Sequence, residues 1–279
     1  MSGFSPEWLA LREPVDHRSR CAEIAGRLAE RFAQASTIRV VDLGCGTGSN
    51  LRGTYHLLPA TQYWTLVDYD PRLLAAARVA LGQWADRHEQ QGEGLSLSKN
   101  GRNLEVAFRQ ADLNADLDGA LGPAPELVTA SAFFDLCSPE FIGHLAATVA
   151  ARKAAFFTVL TYNGQQLWTP THQADPRLLN AFHEHQTGDK GFGPSTGPAA
   201  APALGATFQS AGYEVHEGDS PWRLGTSDAR LIADLATGFA AAAAETGRVD
   251  APTIAAWLAI SRTSAVVGHT DTLALPPTA

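Results

Sequence analysis

The sequence predicts an α/β fold, an open sheet with helices on both faces, built as a single domain over residues 1–279. Three observations carry this. Apolar, β-branched runs alternate with helix-compatible segments along most of the chain. The first run, residues 38–43, ends in Asp42-Leu43 and enters a turn with glycines at 44, 46 and 48, after which the pattern turns helical. The second run, Tyr63-Trp64-Thr65-Leu66-Val67, also ends on an acid, Asp68. In open α/β sheets ligands bind outside the carboxyl ends of strands, so these ends mark the functional edge.

Composition narrows the function. Apolar content of 45% and charged content of 18% describe an ordinary globular protein, and 279 residues suffice for one large core. A net charge of −8 argues against a nucleic-acid surface, which needs clustered Lys and Arg. The sequence has no apolar run of membrane-spanning length, and Met1-Ser2-Gly3-Phe4 opens no basic or apolar leader, so neither a membrane span nor a signal peptide is expected. Cys21, Cys45 and Cys137 form no C-x-x-C pair, which suits a reducing, cytoplasmic setting without a disulfide framework or zinc.

Taken in order, residues 1–35 read as an N-terminal cover and helix. Residues 5–20 are polar, with Trp8, Arg12 and His17 either solvated or folded over a ligand, and an amphipathic helix is expected over 19–35. A helix over 48–58 follows the glycine turn. Asp70 caps a helix that Pro71 opens. Asn100-Gly101 marks a hairpin that adds an edge strand before the third sheet strand, 104–109, which ends at Asp112-Leu113. The fourth strand covers 126–132, and the next helix starts near Ser138-Pro139. The fifth strand covers 155–162, and residues 164–198 form a lid-like segment longer than a β–α loop needs. An alanine-rich helix over 199–211 is stopped by Gly212. A sixth strand at 213–216, two helices at 228–246 and 251–262, and a seventh strand at 264–268 complete the order. The tail, 270–279, is expected to be loose.

Two readings compete for the glycine turn. A dinucleotide fingerprint needs G-x-G-x-x-G. Here the run is Asp42-x-Gly44-x-Gly46-x-Gly48, which resembles motif I of the class I S-adenosylmethionine-dependent methyltransferases. That resemblance implies a three-layer Rossmann-like sandwich with a seven-stranded mixed sheet of order 3-2-1-4-5-7-6, strand 7 antiparallel. Departures from the family pattern are the extra hairpin before strand 3 and helical insertions at 164–198 and 225–262, expected to shape the substrate pocket or a homodimer face. The resemblance also implies S-adenosyl-L-methionine as cofactor. Gly44, Cys45 and Gly46 would lie at its methionine end, with Asp42 bracing the turn or holding the amino group. Asp68 would bind the ribose, Tyr69 would lie beside the adenine, Asp112 and Leu113 would contact it, and Ser131 would complete the set.

The chemistry is expected beyond the fourth strand. Amino-directed relatives of the nucleobase and glutamine-amide type carry an Asn-Pro-Pro-Tyr-like tetrad there; this chain has Ser131-Ala132-Phe133-Phe134, which looks more like the small-molecule branch. Phe134 and Asp135 should edge the pocket, Asp135 as general base, substrate contact or cap of the next helix. Tyr162 would act in catalysis or position the substrate, and His172, His183 and His185 are further candidate bases, His185 being assigned to catalysis and His183 to the substrate. Trp168, Phe192 and Trp222 could exclude water, and Trp168, like Phe134, is assigned to substrate binding. Asp135 with Asn163 could imitate a catechol-type magnesium pair, but the expected acid is replaced by Tyr162, and no metal is predicted. The expected activity is methyl transfer to oxygen or nitrogen of a small molecule. Alternatives are a non-catalytic S-adenosylmethionine-binding sensor or assembly partner, and a nicotinamide oxidoreductase.

Overall fold

The computed structural model describes residues 4–277. Residues 1–3 and 278–279 lie outside the described residues, and with them part of the start read as leader-free and the end of the tail read as loose. Helix α1 (Pro6–Ser19) is capped by Ser5, whose Oγ accepts from the Trp8 N–H at 3.2 Å, and Pro6 sits where its missing N–H is harmless. Its inward face mixes Arg12 and Asp16 with Leu9 and Val15, so the apolar period is blurred. This is why residues 5–20 read as a polar segment. Helix α2 (Ala22–Phe32) buries Ile24, Leu28 and Phe32. The single helix expected over 19–35 breaks at Arg20, which takes an extended ψ of 141°.

Strand β1 (Thr37–Leu43) leads through the glycine turn to a short helix, α3 (Ser49–Thr54), continued by a 3-10 turn, Tyr55–Leu57. Strand β2 (Thr61–Asp68) and helix α4 (Pro71–Trp84) follow, the latter capped by Asp70 as expected. Then come β3 (Arg87–Gln91), β4 (Gly94–Lys99) and β5 (Arg102–Gln110). Asn100 and Gly101 take φ of 48° and 75° between β4 and β5, the conformation an Asn-Gly hairpin turn requires. Helix α5 (Leu117–Leu121), β6 (Leu127–Ser131) and α6 (Pro139–Ala151) precede the long β7 (Ala155–Thr169). The rest comprises α7 (Asp175–Gln186), α8 (Ala200–Ser210), β8 (Glu214–Asp219), β9 (Trp222–Leu224), α9 (Ala229–Glu245), α10 (Ala251–Leu258) and β10 (Ser264–Leu275).

The sheet has ten strands rather than the expected seven, in the order β3-β4-β5-β2-β1-β6-β7-β10-β8 with β9 paired to β10. The order thus differs from the expected one at its outer members. Strand β3 was not foreseen because Arg87-His88-Glu89-Gln90-Gln91 is exposed throughout and has no apolar face to alternate. Two further boundaries move. Strand β7 runs to Thr169 instead of ending at 162, and β10 runs to Leu275, so residues 270–275 of the supposedly loose tail are paired with β7 and β8. Both carry their apolar pattern across bulges, at Val267/His269 and Thr270/Thr272, and a bulge breaks strict alternation. No helix among the described residues is long and apolar enough to cross a membrane.

Each sheet face has its own core. One gathers Ile24, Leu28, Trp64 and Leu66 with α7, α9 and α10; the other gathers Leu145, Phe156 and Phe208 with α5, α6 and α8. The two insertions, the lid-like 164–198 and the 225–262 segment expected to shape the pocket or a dimer face, pack on one another. Trp168 of β7 lies 5.3 Å from Trp257 and 5.7 Å from Phe239, and Phe182 of α7 lies 4.9 Å from Phe239 (ring centroids). Trp257 is fully buried and its Nε1 donates to Asp175 Oδ1. Truncation to Trp257→Ala removes both packing and hydrogen bond and should cost about 3–5 kcal/mol. Urea unfolding followed by circular dichroism checks this; an unchanged midpoint would mean that the insertion is not part of the cooperative unit.

Candidate active site

The glycine turn joins β1 to α3 with Gly44, Gly46 and Gly48 at φ of 60°, 54° and 78°. At Gly44 a Cβ would lie 2.7 Å from Phe133 Cδ2, so the close approach of Phe133 requires glycine there. Helix α1 lies over the other side, its Leu9 Cδ1 3.1 Å from where a Gly46 Cβ would be. His17 Nε2 reaches Ser49 O at 3.0 Å, and Glu13 pairs with Arg52 at 2.5 Å. The expected cover over the turn is thus a helix, fixed by an ion pair. Helix α3 has only six residues, so its N-terminal dipole adds less than a long helix would.

Four adjacent strand ends meet here. Asp42 is wholly buried and accepts from Asn50 Nδ2 at 2.7 Å, the bracing role of the two expected. Burial raises its pKa to about 7, against the opposing effects of Asn50 and Arg20. Asp68 Oδ2 accepts from Gly46 N and Oδ1 from Asp70 N, both at 2.9 Å. Burial also raises the Asp68 pKa. Each carboxylate oxygen keeps a second lone pair, which suits a diol that donates two hydrogen bonds. Tyr69 beside it is 56% exposed. Asp112 is exposed, with Oδ1 on the Asn114 N–H, while Leu113 is buried in the core. Cys45 is buried, its N–H on Val67 O at 3.0 Å, and Ser131 is half-buried at the end of β6. A glycine cradle closed to side chains, a carboxylate with spare lone pairs and an exposed acidic loop fit a nucleoside with a zwitterionic tail.

Beside this turn lies a second, polar cluster drawn from α1, the loop after β6, β7, α7, β9 and β10. Arg12 Nε donates to Asp16 Oδ2 at 2.9 Å, and the Arg12 guanidinium sits 5.1 Å over the Trp222 ring. The Trp222 ring is 5.2 Å from His269, which is 6.2 Å from Tyr162. Tyr162 Oη and His183 Nε2 are 3.0 Å apart. Asp135 adjoins Arg12 and Tyr162 closely enough to bear on their charges, and burial lifts its pKa to about 6. Burial pushes the Tyr162 hydroxyl up, the His183 imidazole down, and His269 down to about 3. Near neutral pH both histidines are therefore uncharged, and Asp135 is the group poised to exchange a proton. Capping is not its task, because Ser138 Oγ caps α6 by accepting from Phe141 N at 3.1 Å.

Several expected residues lie elsewhere. His185 pairs with Glu245 of α9 at 3.0 Å, outside the cluster. His172 stabilises its own loop with Asp175 and Ala174. Trp168 belongs to the aromatic core under α9 and α10, because β7 continues through it. Phe134 is fully buried, its ring 5.3 Å from Phe156, so it packs the core while Phe133 faces the turn. Phe192 stacks edge-on to Phe133 at 5.4 Å. Asn163 accepts from Gln165 N within its bulge. Among the described residues no group of three or more His, Cys, Asp or Glu is placed to hold a metal ion. Sequence reasoning missed His269 by ending the last strand at 268, and Asp16 by weighing only Trp8, Arg12 and His17 of the N-terminal segment. The signal for Asp16 was its spacing of four from Arg12.

The strand-end arrangement and the sheet define a fold, that of the class I S-adenosylmethionine-dependent methyltransferases. Among solved structures, the cyclopropane synthase MmaA2 from Mycobacterium tuberculosis is similar in fold at a TM-score of 0.52, with 9% identity over 97% of this chain and 94% of that one. A methyltransferase from Geobacter sulfurreducens, crystallised with S-adenosyl-L-homocysteine, shares 17% identity over 98% and 99% of the two chains at a TM-score of 0.44. No family profile and no curated protein matches the sequence.

The buried Asp42 makes a testable linkage. Its folded pKa of about 7 exceeds the ordinary value of 3.8, so between those values the folded chain holds a proton that the unfolded chain releases. The Asp42 contribution to stability therefore falls as pH rises across that window. Asp42→Asn cannot titrate, so its stability relative to the wild type should climb from pH 4 to 7, by up to about 1.4 kcal/mol per unit. Urea midpoints measured against pH test this, and a pH-independent difference would contradict the raised value.

Proposed function

We propose that the protein transfers a methyl group from S-adenosyl-L-methionine to an oxygen or nitrogen of a small molecule. The observation that carries this reading is the buried cluster of Arg12, Asp135, Tyr162 and His183 set beside the glycine turn in a methyltransferase fold. Gly44, Gly46, Asp68, Tyr69 and Asp112 would hold the cofactor, with Ser131 at the border of the two halves. The cofactor supplies a methyl on a positively charged sulfur, which keeps the bonding electron pair when the carbon–sulfur bond breaks. The remaining work is positioning, exclusion of water and removal of the acceptor's proton.

Asp135 takes that proton as the new bond to carbon forms. Tyr162, held by His183, orients the acceptor, and α1 with Trp222 closes the site to water. The acidic balance of the chain supports a small-molecule acceptor over a nucleic acid. Three free cysteines favour a cytoplasmic setting.

The test is labelled cofactor incubated with a metabolite extract, with formation of S-adenosyl-L-homocysteine as readout. Calorimetric binding of both adenosyl compounds is expected, and its absence sinks the reading. Turnover should rise with pH through about 6 as Asp135 ionises. Asp135→Asn should remove that rise and lower turnover by about 10²- to 10⁴-fold. A variant that keeps the wild-type rate and profile would remove Asp135 from the mechanism.

A further inference from the structure

The polar cluster contains one cation, Arg12, whose side chain is 11% exposed. It is fixed on two sides, by Asp16 at Nε and by the Trp222 ring beneath the guanidinium plane. Its terminal nitrogens, Nη1 and Nη2, donate to no described residue, and Arg12 forms no ion pair with Asp135 although the two charges are close. A second donor is also unanswered: Trp222 is 3% exposed and its buried Nε1 has no partner among the described residues. An indole N–H can only donate, and buried donors are normally satisfied. A group rich in acceptors and poor in protons answers both. An arginine fork matches a carboxylate in shape, offering two parallel N–H donors to two oxygens.

The cluster also borders open space. A cleft of about 540 Å³ opens beside it, with His269 as the shared wall and Arg18, Arg223 and Asp219 among its lining. Arg18 is paired with Asp228, whereas Arg223 has no partner among the described residues. Asp228 and Asp219 offset these two guanidiniums, so the cleft adds room for a bound molecule while the donors that select it are those of Arg12 and Trp222. We propose that the methyl acceptor bears a carboxylate, held by the terminal nitrogens of Arg12 while its nucleophilic atom faces Asp135. This rests on the methyl-transfer reading above and names the acceptor class for that same site.

The experiment is a thermal-shift series with small hydroxy- and amino-carboxylic acids at millimolar concentration. Each acid is paired with its primary amide and with the amine lacking the acid, and all are run with and without S-adenosyl-L-homocysteine. Acids should raise the melting temperature where amides and amines do not. Arg12→Gln should weaken acid binding about 10- to 100-fold while the shift given by S-adenosyl-L-homocysteine is kept. Arg12→Lys, which keeps the charge and loses the fork, should recover only part of the acid binding. Equal shifts from acids and amides, shifts from amines alone, no shift from any acid, or acid binding unaltered in Arg12→Gln each overturn the assignment. A shift with S-adenosyl-L-homocysteine but none with acids overturns the carboxylate alone, whereas no shift with S-adenosyl-L-homocysteine overturns the methyl-transfer reading.

Discussion

Under the glycine turn, Asp42 sits in the dry interior and has a single hydrogen-bond donor, the amide of Asn50. The same amide donates to Thr129 in the middle of β6, and the Asn50 side-chain carbonyl accepts from Arg20. Arg20 also donates to Thr54, and its head fits against α3 only because residue 53 is glycine: a Cβ there would be 2.5 Å from Arg20 Cζ. From the next residue the Cys21 N–H donates to Asp271 of β10, whose other oxygen accepts from Leu160 N in β7. One connected set of buried polar contacts thus ties β1 and β6 to α3, to the α1–α2 junction and to β10. Breaking such a set at one partner leaves a charge uncompensated, which costs far more than the intact set contributes.

That constraint explains where α1 goes. Because Arg20 must enter the interior, the chain cannot run on as one helix, and the break swings α1 across the turn. Leu9 then meets Gly46 and Arg12 meets Trp222. The far side of the site is set by the paired bulges of β7 and β10. Leu160 takes a left-handed φ of 59°, and the register slips on either side of His269. Bulges re-aim side chains, and here they bring Tyr162 and His269 within one cluster while Asp271 points back to the buried network. The glycine turn and the polar cluster beside it therefore depend on the same residues, Arg20 and Asp271.

How much of this can be read from the sequence follows from range. The glycine turn, the acids at the ends of β1 and β2, the Asn-Gly hairpin and the Asp70 cap are legible because neighbouring residues decide them. The pairing of Arg12 with Trp222, separated by most of the chain, is not. Apolar alternation fails wherever the sheet is irregular: β3 has no buried face, and β7 and β10 are interrupted by bulges, so Trp168 reads as a lid and the tail as loose. Aromatic residues in long connections are ambiguous in the same way. Trp168 and Phe134 are core because of what packs on them, α9 and α10 in one case and Phe156 in the other, and neither partner is visible locally.

The electrostatics of the cluster select among the groups that sequence leaves equivalent. A histidine suits a proton acceptor near neutrality only if water can stabilise its charged form. His183 and His269 are denied that by burial, and His269 also faces Arg12. The Tyr162 hydroxyl is held protonated by burial and by Asp135. Asp135 differs in kind, since burial moves a carboxylate's pKa toward neutral pH and a histidine's away from it, and a backbone hydrogen bond together with Arg12 holds the Asp135 value to about 6. A group that ionises just below neutral pH, beside a fixed guanidinium and an uncharged Tyr–His pair, is already deprotonated at neutral pH and still basic enough to accept a proton. The same burial that costs stability at Asp42 gives Asp135 its usable range.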